Sequence, residues 1–176
     1  MSAAKAVFVD KDGTLVIDVP YNIDPARVAL APGAQGAVGK LAAAGYRVIV
    51  VSNQPGAALG LFAEKALGVI EERLRSLLPR LDAFYYCPHA PDAGCRCRKP
   101  APGLLERAAR EHGLELARSW MIGDILDDVE AGRRAGCRTI LLDVGNETQW
   151  VVSDQRSPHH IAAGLGEAAD IIAGAR

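Results

Sequence analysis

Val7-Phe8-Val9-Asp10-Lys11-Asp12-Gly13-Thr14 carries an apolar run straight into two carboxylates one residue apart. Three consecutive apolar residues read as a short buried strand, and Gly13 marks the turn that ends it. Two like charges a few ångströms apart at the end of a buried strand resist joint ionisation. A divalent cation relieves that conflict. An aspartate held beside such a cation is also a competent nucleophile toward phosphorus. The same residues suit a plain Asp-Gly turn, so the rest of the chain has to decide.

Working outward, strand-like and helix-like runs alternate. Strands are expected at 6–10, 47–52, 83–87, 120–123 and 139–143, with helices at 33–44, 64–78, 103–112 and 127–135. The 64–78 helix is the clearest, with Leu67, Ile70, Leu74, Leu77 and Leu78 at three- and four-residue spacing. Pro102 sits near the first turn of the next helix. A loop with Pro and Asp spans about 17–32, and a short helix is expected near 165–172. Trp150, His159 and His160 fall in a late polar loop and read as packing residues. The alternation predicts an α/β, doubly wound, Rossmann-like sheet that is mostly parallel, with helices on both faces. No insertion is large enough for a cap domain, and 1–176 reads as a single domain.

Hydrophobic content of 49% with 23% charged residues is that of a folded globular chain. A net charge of −1 argues against a nucleic-acid partner. The longest clean apolar run, Val48-Ile49-Val50-Val51, is far too short for a membrane partner. The first strand starts almost at once, leaving no room for a signal peptide, so a cytoplasmic location is expected. The expected working form is a monomer.

In doubly wound sheets, ligands bind outside the carboxyl ends of the strands, near the point where strand order reverses. Asp10 and Asp12 follow the first strand; Ser52, Asn53 and Gln54 follow the second; Gly123 and Asp124 follow the fourth. Lys99 lies in the connection after the third. All are expected on one rim. A hydroxyl, amides and backbone N–H groups at 52–56 make a neutral anion cradle, with Ser52 and Asn53 as phosphate-binding candidates. Lys99 can balance the charge of a nucleophile and a phosphate, and Arg98 can grip an oxygen bidentately. Asp124, at a strand end, is a natural ligand for Mg²⁺, which favours carboxylates, waters and phosphate oxygens. Asp127 and Asp128 follow about one helical turn on, where Asp128 can orient a neighbour or interact with the dipole; for both, a first-turn acid is at least as good a reading as a metal ligand.

Cys87, His89, Cys95 and Cys97 form a Cys-x-His, five-residue, Cys-x-Cys pattern. Three thiolates and one imidazole fill a tetrahedral zinc shell with no open position, the signature of a structural site. Zinc would rigidify the 87–97 loop and so fix Arg98 and Lys99. Cys137 stands apart, beside an apolar run, and reads as a small core residue.

Taken together, these motifs resemble the haloacid dehalogenase superfamily of phosphohydrolases, whose DxDGT, Ser/Thr, Lys and Gly-Asp motifs stand here as Asp10–Thr14, Ser52, Lys99 and Asp124. The resemblance implies Asp10 as nucleophile, Asp12 as general acid/base, and Ser52 and Lys99 as phosphate holders. It also implies Mg²⁺ held by Asp10, by Asp12 through its main-chain carbonyl, and by Asp124. The zinc pattern running into Cys97-Arg98-Lys99-Pro100 looks like the small capless phosphatases acting on D-glycero-D-manno-heptose 1,7-bisphosphate, and like the related histidinol-phosphate phosphatases. A small phosphorylated metabolite is the implied substrate. Within that resemblance, Cys97–Gly103 and Ser52–Gly56 favour the heptose enzymes, implying hydrolysis of the C7 phosphate with histidinol phosphate as the alternative, while Lys11, Leu59 and Ile125 depart from their usual pattern. A phospho-accepting receiver domain shares the sheet but lacks a second acid like Asp12 and a zinc loop. A zinc-loop nucleic-acid module would need more basic residues than Arg96, Arg98 and Lys99.

Overall fold

In the computed structural model, which describes residues 3–175, six strands form one sheet. They are β1 (Ala6–Val9), β2 (Arg47–Asn53), β3 (Ala83–Cys87), β4 (Trp120–Gly123), β5 (Arg138–Leu142) and β6 (His160–Ala162). Five helices join them: α1 (Ala34–Ala43), α2 (Leu67–Leu77), α3 (Gly103–His112), α4 (Leu126–Arg134) and α5 (Leu165–Gly174). The strand order is β3-β2-β1-β4-β5-β6, and every pairing is parallel. The order reverses between β1 and β4, the switch point of a doubly wound sheet.

The apolar strands follow from having both faces covered. Alternate side chains enter opposite cores. Val7, Val9, Val48, Val50, Trp120 and Ile122 pack on one side with Val38 and Leu41 of α1, Ile70 and Leu74 of α2, and Leu165 and Ile172 of α5. Phe8, Ile49, Val51 and Met121 pack on the other with Leu104, Leu105 and Ala108 of α3 and Ala131 of α4. Cys137 belongs to that second core, as expected.

Register sets up the site. Val9 pairs with Val50 on one side and Ile122 on the other, so three strands release their chains at the same end. The longest of the connections near them, residues 10–33, holds only a single 3₁₀ turn at Pro25–Arg27, and no cap interrupts the described residues. Within it Asn22 forms a local turn, exchanging hydrogen bonds with the backbone of Asp24. No described helix is long and apolar enough to cross a membrane.

The structure departs from the sequence expectation at a few places. The expected five strands become six, because His160 lies in β6 rather than in a loop. Backbone hydrogen bonds from Asp143 to Ala162 and from His159 to Thr139 zip β6 onto β5. Three residues with one buried side chain carry too little periodicity to be read in advance. His160 packs, 5.8 Å from the Trp120 ring, whereas His159 is exposed and is held by a hydrogen bond that it accepts from the Thr139 amide. Trp150 does not pack, and stays 44% exposed. The expected 64–78 helix opens with a 3₁₀ turn at Glu64–Ala66, and β1 stops at Val9, leaving Asp10 as the first residue beyond it.

Candidate active site

The turn after β1 is wound around one carbonyl. Thr14, Leu15 and Val16 all donate their amides to the Lys11 oxygen, at 3.3, 3.0 and 3.1 Å. Gly13 adopts φ +81°, and a Cβ there would come within 2.3 Å of Asp124 Oδ2 and 2.7 Å of Asn146 Nδ2. Only glycine fits a left-handed position so closely overlaid.

Lys99 reaches under this turn from the 88–102 connection. Its Nζ lies 2.6 Å from Asp10 Oδ1, 2.6 Å from Asp128 Oδ1 and 2.9 Å from the Val51 carbonyl. All three ammonium protons are therefore engaged. The Asn53 side chain holds the Lys99 main chain at two points, donating to its carbonyl at 3.1 Å and accepting from its amide at 3.0 Å. The Lys99–Pro100 peptide bond is cis.

Asp124 follows β4 and takes one neutral donor on each oxygen, Thr14 Oγ1 at 3.0 Å and Asn146 Nδ2 at 2.8 Å. Asp128, in the first turn of α4, accepts from the amides of Asp124 and Ile125 at 3.2 and 3.4 Å. Asp12 points elsewhere. Its carboxylate is held by Lys11 Nζ at 2.6 Å and by Gln54 Nε2 at 2.7 Å, and Gln54 also donates to Ser52 Oγ at 2.8 Å. A cleft of about 380 Å³ opens beside the turn, lined in part by Thr14, Ile17, Asp18, Val144 and Asn146. On the zinc-loop side, Arg98 carries a buried Nη1 with no acceptor among the described residues. A guanidinium N–H left so is costly, and an oxygen of a bound anion would satisfy it.

The sequence placed Asp10, Asp12, Ser52, Asn53, Lys99 and Asp124 on one rim, and the hydrogen bonds join them there. The carboxylate cluster itself differs from expectation. Asp10, Asp124 and Asp128 are all buried and bring one oxygen each within 4.8 Å of one another, while the Asp12 carboxylate stands outside. Asp128 is thus more than a first-turn acid. Burial drives the acidities: Asp10 and Asp128 are each pushed up to about 7, against the pull of Lys99, and Asp124 is pushed up as well. Burial alone would lower Lys99, but Asp10 and Asp128 together raise it above its ordinary range, so it remains an ammonium. Three buried carboxylates face one ammonium. That deficit of positive charge is what a divalent cation would correct, so the donor set fits Mg²⁺.

The second candidate metal centre also fits. Cys87 Sγ lies 3.6 Å from Cys95 Sγ, Cys95 Sγ 3.6 Å from Cys97 Sγ, and His89 Nδ1 3.4 and 3.2 Å from Cys87 and Cys97. A tetrahedron with zinc–sulfur bonds of about 2.3 Å has edges of about 3.8 Å, close to this spacing. None of the four cysteines is in a disulfide.

Two positions that touch the carboxylate cluster or the helix beside it lay outside the sequence reading. Asn146 and Glu147 follow β5, and Glu147 accepts from the amide of Leu126 at 2.7 Å, where α4 begins. The rule that singled out the ends of strands one, two and four applies equally to the fifth.

Residues 96–168 match the HAD-hydrolase-like family model. The D-glycero-D-manno-heptose-1,7-bisphosphate 7-phosphatase of Chlorobaculum tepidum is 36% identical, covering 96% of this chain and 94% of its own length. The D-glycero-beta-D-manno-heptose-1,7-bisphosphate 7-phosphatase of Photorhabdus laumondii subsp. laumondii is 40% identical, covering 78% and 79%. Among solved structures, the D,D-heptose 1,7-bisphosphate phosphatase of B. bronchiseptica, complexed with magnesium and phosphate, superimposes with a TM-score of 0.80. It is 30% identical and the match covers 96% of this chain and 97% of that one. Kinship of this degree over most of both chains makes the protein a phosphatase of the haloacid dehalogenase superfamily, belonging to the family of the heptose-1,7-bisphosphate 7-phosphatases.

Proposed function

We propose that this chain hydrolyses D-glycero-D-manno-heptose 1,7-bisphosphate at its C7 phosphate, by way of a phosphorylated Asp10. The observation that carries the mechanism is the buried contact between Lys99 and Asp10. Lys99 orients Asp10, favours its ionised form against the effect of burial, and offsets the repulsion between a carboxylate and an incoming phosphate. An oxygen of Asp10 attacks phosphorus, and the bond to the ester oxygen breaks. Asp12 gives its proton to the leaving alkoxide and then, as a carboxylate, takes one from the attacking water. That water displaces Asp10 and inorganic phosphate leaves.

Ser52, Asn53 and the amides after β2 cradle the phosphate, with Gln54 orienting both Ser52 and Asp12. Arg98 turns its unpartnered Nη1 to a substrate oxygen. Asp10, Asp124 and the main-chain carbonyl of Asp12 would hold Mg²⁺, which when bound supplies Lewis-acid polarisation of the phosphoryl oxygens. Cys87, His89, Cys95 and Cys97 would hold a structural Zn²⁺. The chain works as one domain, a monomer in the cytoplasm, with the small phosphorylated substrate as its partner.

The substrate test is phosphate release, with added Mg²⁺, from both heptose bisphosphate anomers, histidinol phosphate and simple sugar monophosphates. We expect kcat/KM for one heptose bisphosphate anomer to exceed that for every other compound by about tenfold or more. A preference of that size for histidinol phosphate would overturn the substrate assignment.

A further inference from the structure

The loop after β5 reaches back over the carboxylate cluster and touches it with one neutral side chain. Asn146 Nδ2 lies 2.8 Å from Asp124 Oδ2, and 3.5 Å from the Gly13 carbonyl in the turn that carries Asp10 and Asp12. The backbone beneath is so close that a Cβ at position 13 would collide with both Asp124 and Asn146. Asn146 therefore bridges two strand ends that lie far apart in sequence.

Its own position is tied down. The neighbouring Glu147 carboxylate accepts from the Leu126 amide at 2.7 Å and from the Gln149 amide at 2.9 Å. The first bond pins the loop to the start of α4, just beyond Asp124, and the second braces the loop internally. The other oxygen of Asp124 takes Thr14 Oγ1 at 3.0 Å. The carboxylate plane is thus set by one donor from each side.

The chemistry of the donor matters. The amide of Asn146 donates to Asp124 without adding a positive charge that would compete with a cation. It also leaves Asp124 with lone pairs free, since each carboxylate oxygen can accept more than one partner.

We propose that Asn146 is a positioning residue, which orients the Asp124 carboxylate for a divalent cation. The inference rests on the reading of Asp124 as a metal ligand. Outer hydrogen-bond partners of metal ligands typically govern affinity by about 10- to 100-fold. The metal's affinity should therefore depend on a side chain that does not bind it.

The experiment measures Mn²⁺ binding to the full-length, zinc-loaded protein by the electron paramagnetic resonance signal of the free ion. Asn146→Ala and the near-isosteric Asn146→Leu are compared with wild type and with Asp124→Asn. Asn146 is exposed on a loop and contributes nothing to either core, so both variants should keep the wild-type circular dichroism. We expect both to bind Mn²⁺ about 10- to 100-fold more weakly. The Mg²⁺ concentration for half-maximal activity should shift alike, with KM for the phosphate ester unchanged once Mg²⁺ saturates. Wild-type Mn²⁺ affinity in either variant, or unchanged affinity with a raised KM, would overturn the proposal. Wild-type affinity in Asp124→Asn would instead show that the metal-ligand reading itself is wrong.

Discussion

Lys99 uses all three of its ammonium protons inside the protein, on Asp10, Asp128 and the Val51 carbonyl. That sharing makes a clean test of Asp10 possible. In Asp10→Asn the amide occupies the same space, and Lys99 keeps Asp128 as its counter-ion at 2.6 Å. One fewer carboxylate is buried, so the fold should stand with an unchanged or higher thermal midpoint. Turnover of the best phosphate ester should fall by about four orders of magnitude or more. Wild-type-like turnover in a folded variant would rule out the covalent route. Asp128 itself was undervalued in the sequence, since an acid in the first turn of a helix is ordinary and its spacing says nothing of Lys99, 29 residues away. Asn146 was invisible for a related reason. A single amide after Gly145 looks like turn chemistry until the chain is folded and Asp124 lies beneath it.

At the scale of elements, β1, β2 and β4 were legible because each is an unbroken apolar run ending in polar residues. β6 was not, and the gathering of Cys87, His89, Cys95 and Cys97 around one loop was legible from their spacing alone. That loop has little core of its own; the nearby buried anchors are Cys87, the last residue of β3, and Leu104 and Leu105 of α3. Its metal is expected to stand in for the missing apolar contacts. Stripping zinc with a chelator should raise the rate of proteolytic cleavage within 88–98 by about tenfold or more, as local opening becomes easier. Activity should fall with it, because Lys99 leaves the same loop two residues after Cys97. Unchanged cleavage together with no zinc in metal analysis of the purified chain would refute the structural role.

For the whole molecule, the strand order and the convergence of four polar groups at one rim followed from the alternation of elements and from one rule about strand ends. The sequence was silent on how the far edge of the sheet closes. There His159 Nδ1 accepts from the Thr139 amide and hydroxyl at 3.0 Å each, a bond that requires an unprotonated nitrogen. Burial, with Arg133, Arg138 and His160 facing it, holds this imidazole below its ordinary 6.5. As pH falls, the unfolded chain therefore takes the proton first. Stability is lost on descending through about 6.5, and the loss ends once the folded imidazole is protonated too. His159 is largely exposed, so the effect is modest. Between about pH 7.5 and 5.5 the thermal midpoint of His159→Asn should fall less than that of wild type, by the order of a degree. Equal slopes would remove His159 from the account.

Asn53 grips position 99 only through the main chain, by an amide pair that would meet any residue in the same way. Leu59 is exposed, and Ile125 meets Asp128 through its backbone, its amide donating to the Asp128 carboxylate and its carbonyl accepting from the Asp128 amide. Neither side chain is among the contacts that hold Asp10, Lys99 or Asp124, so these two positions are separate from the residues that build the reaction centre.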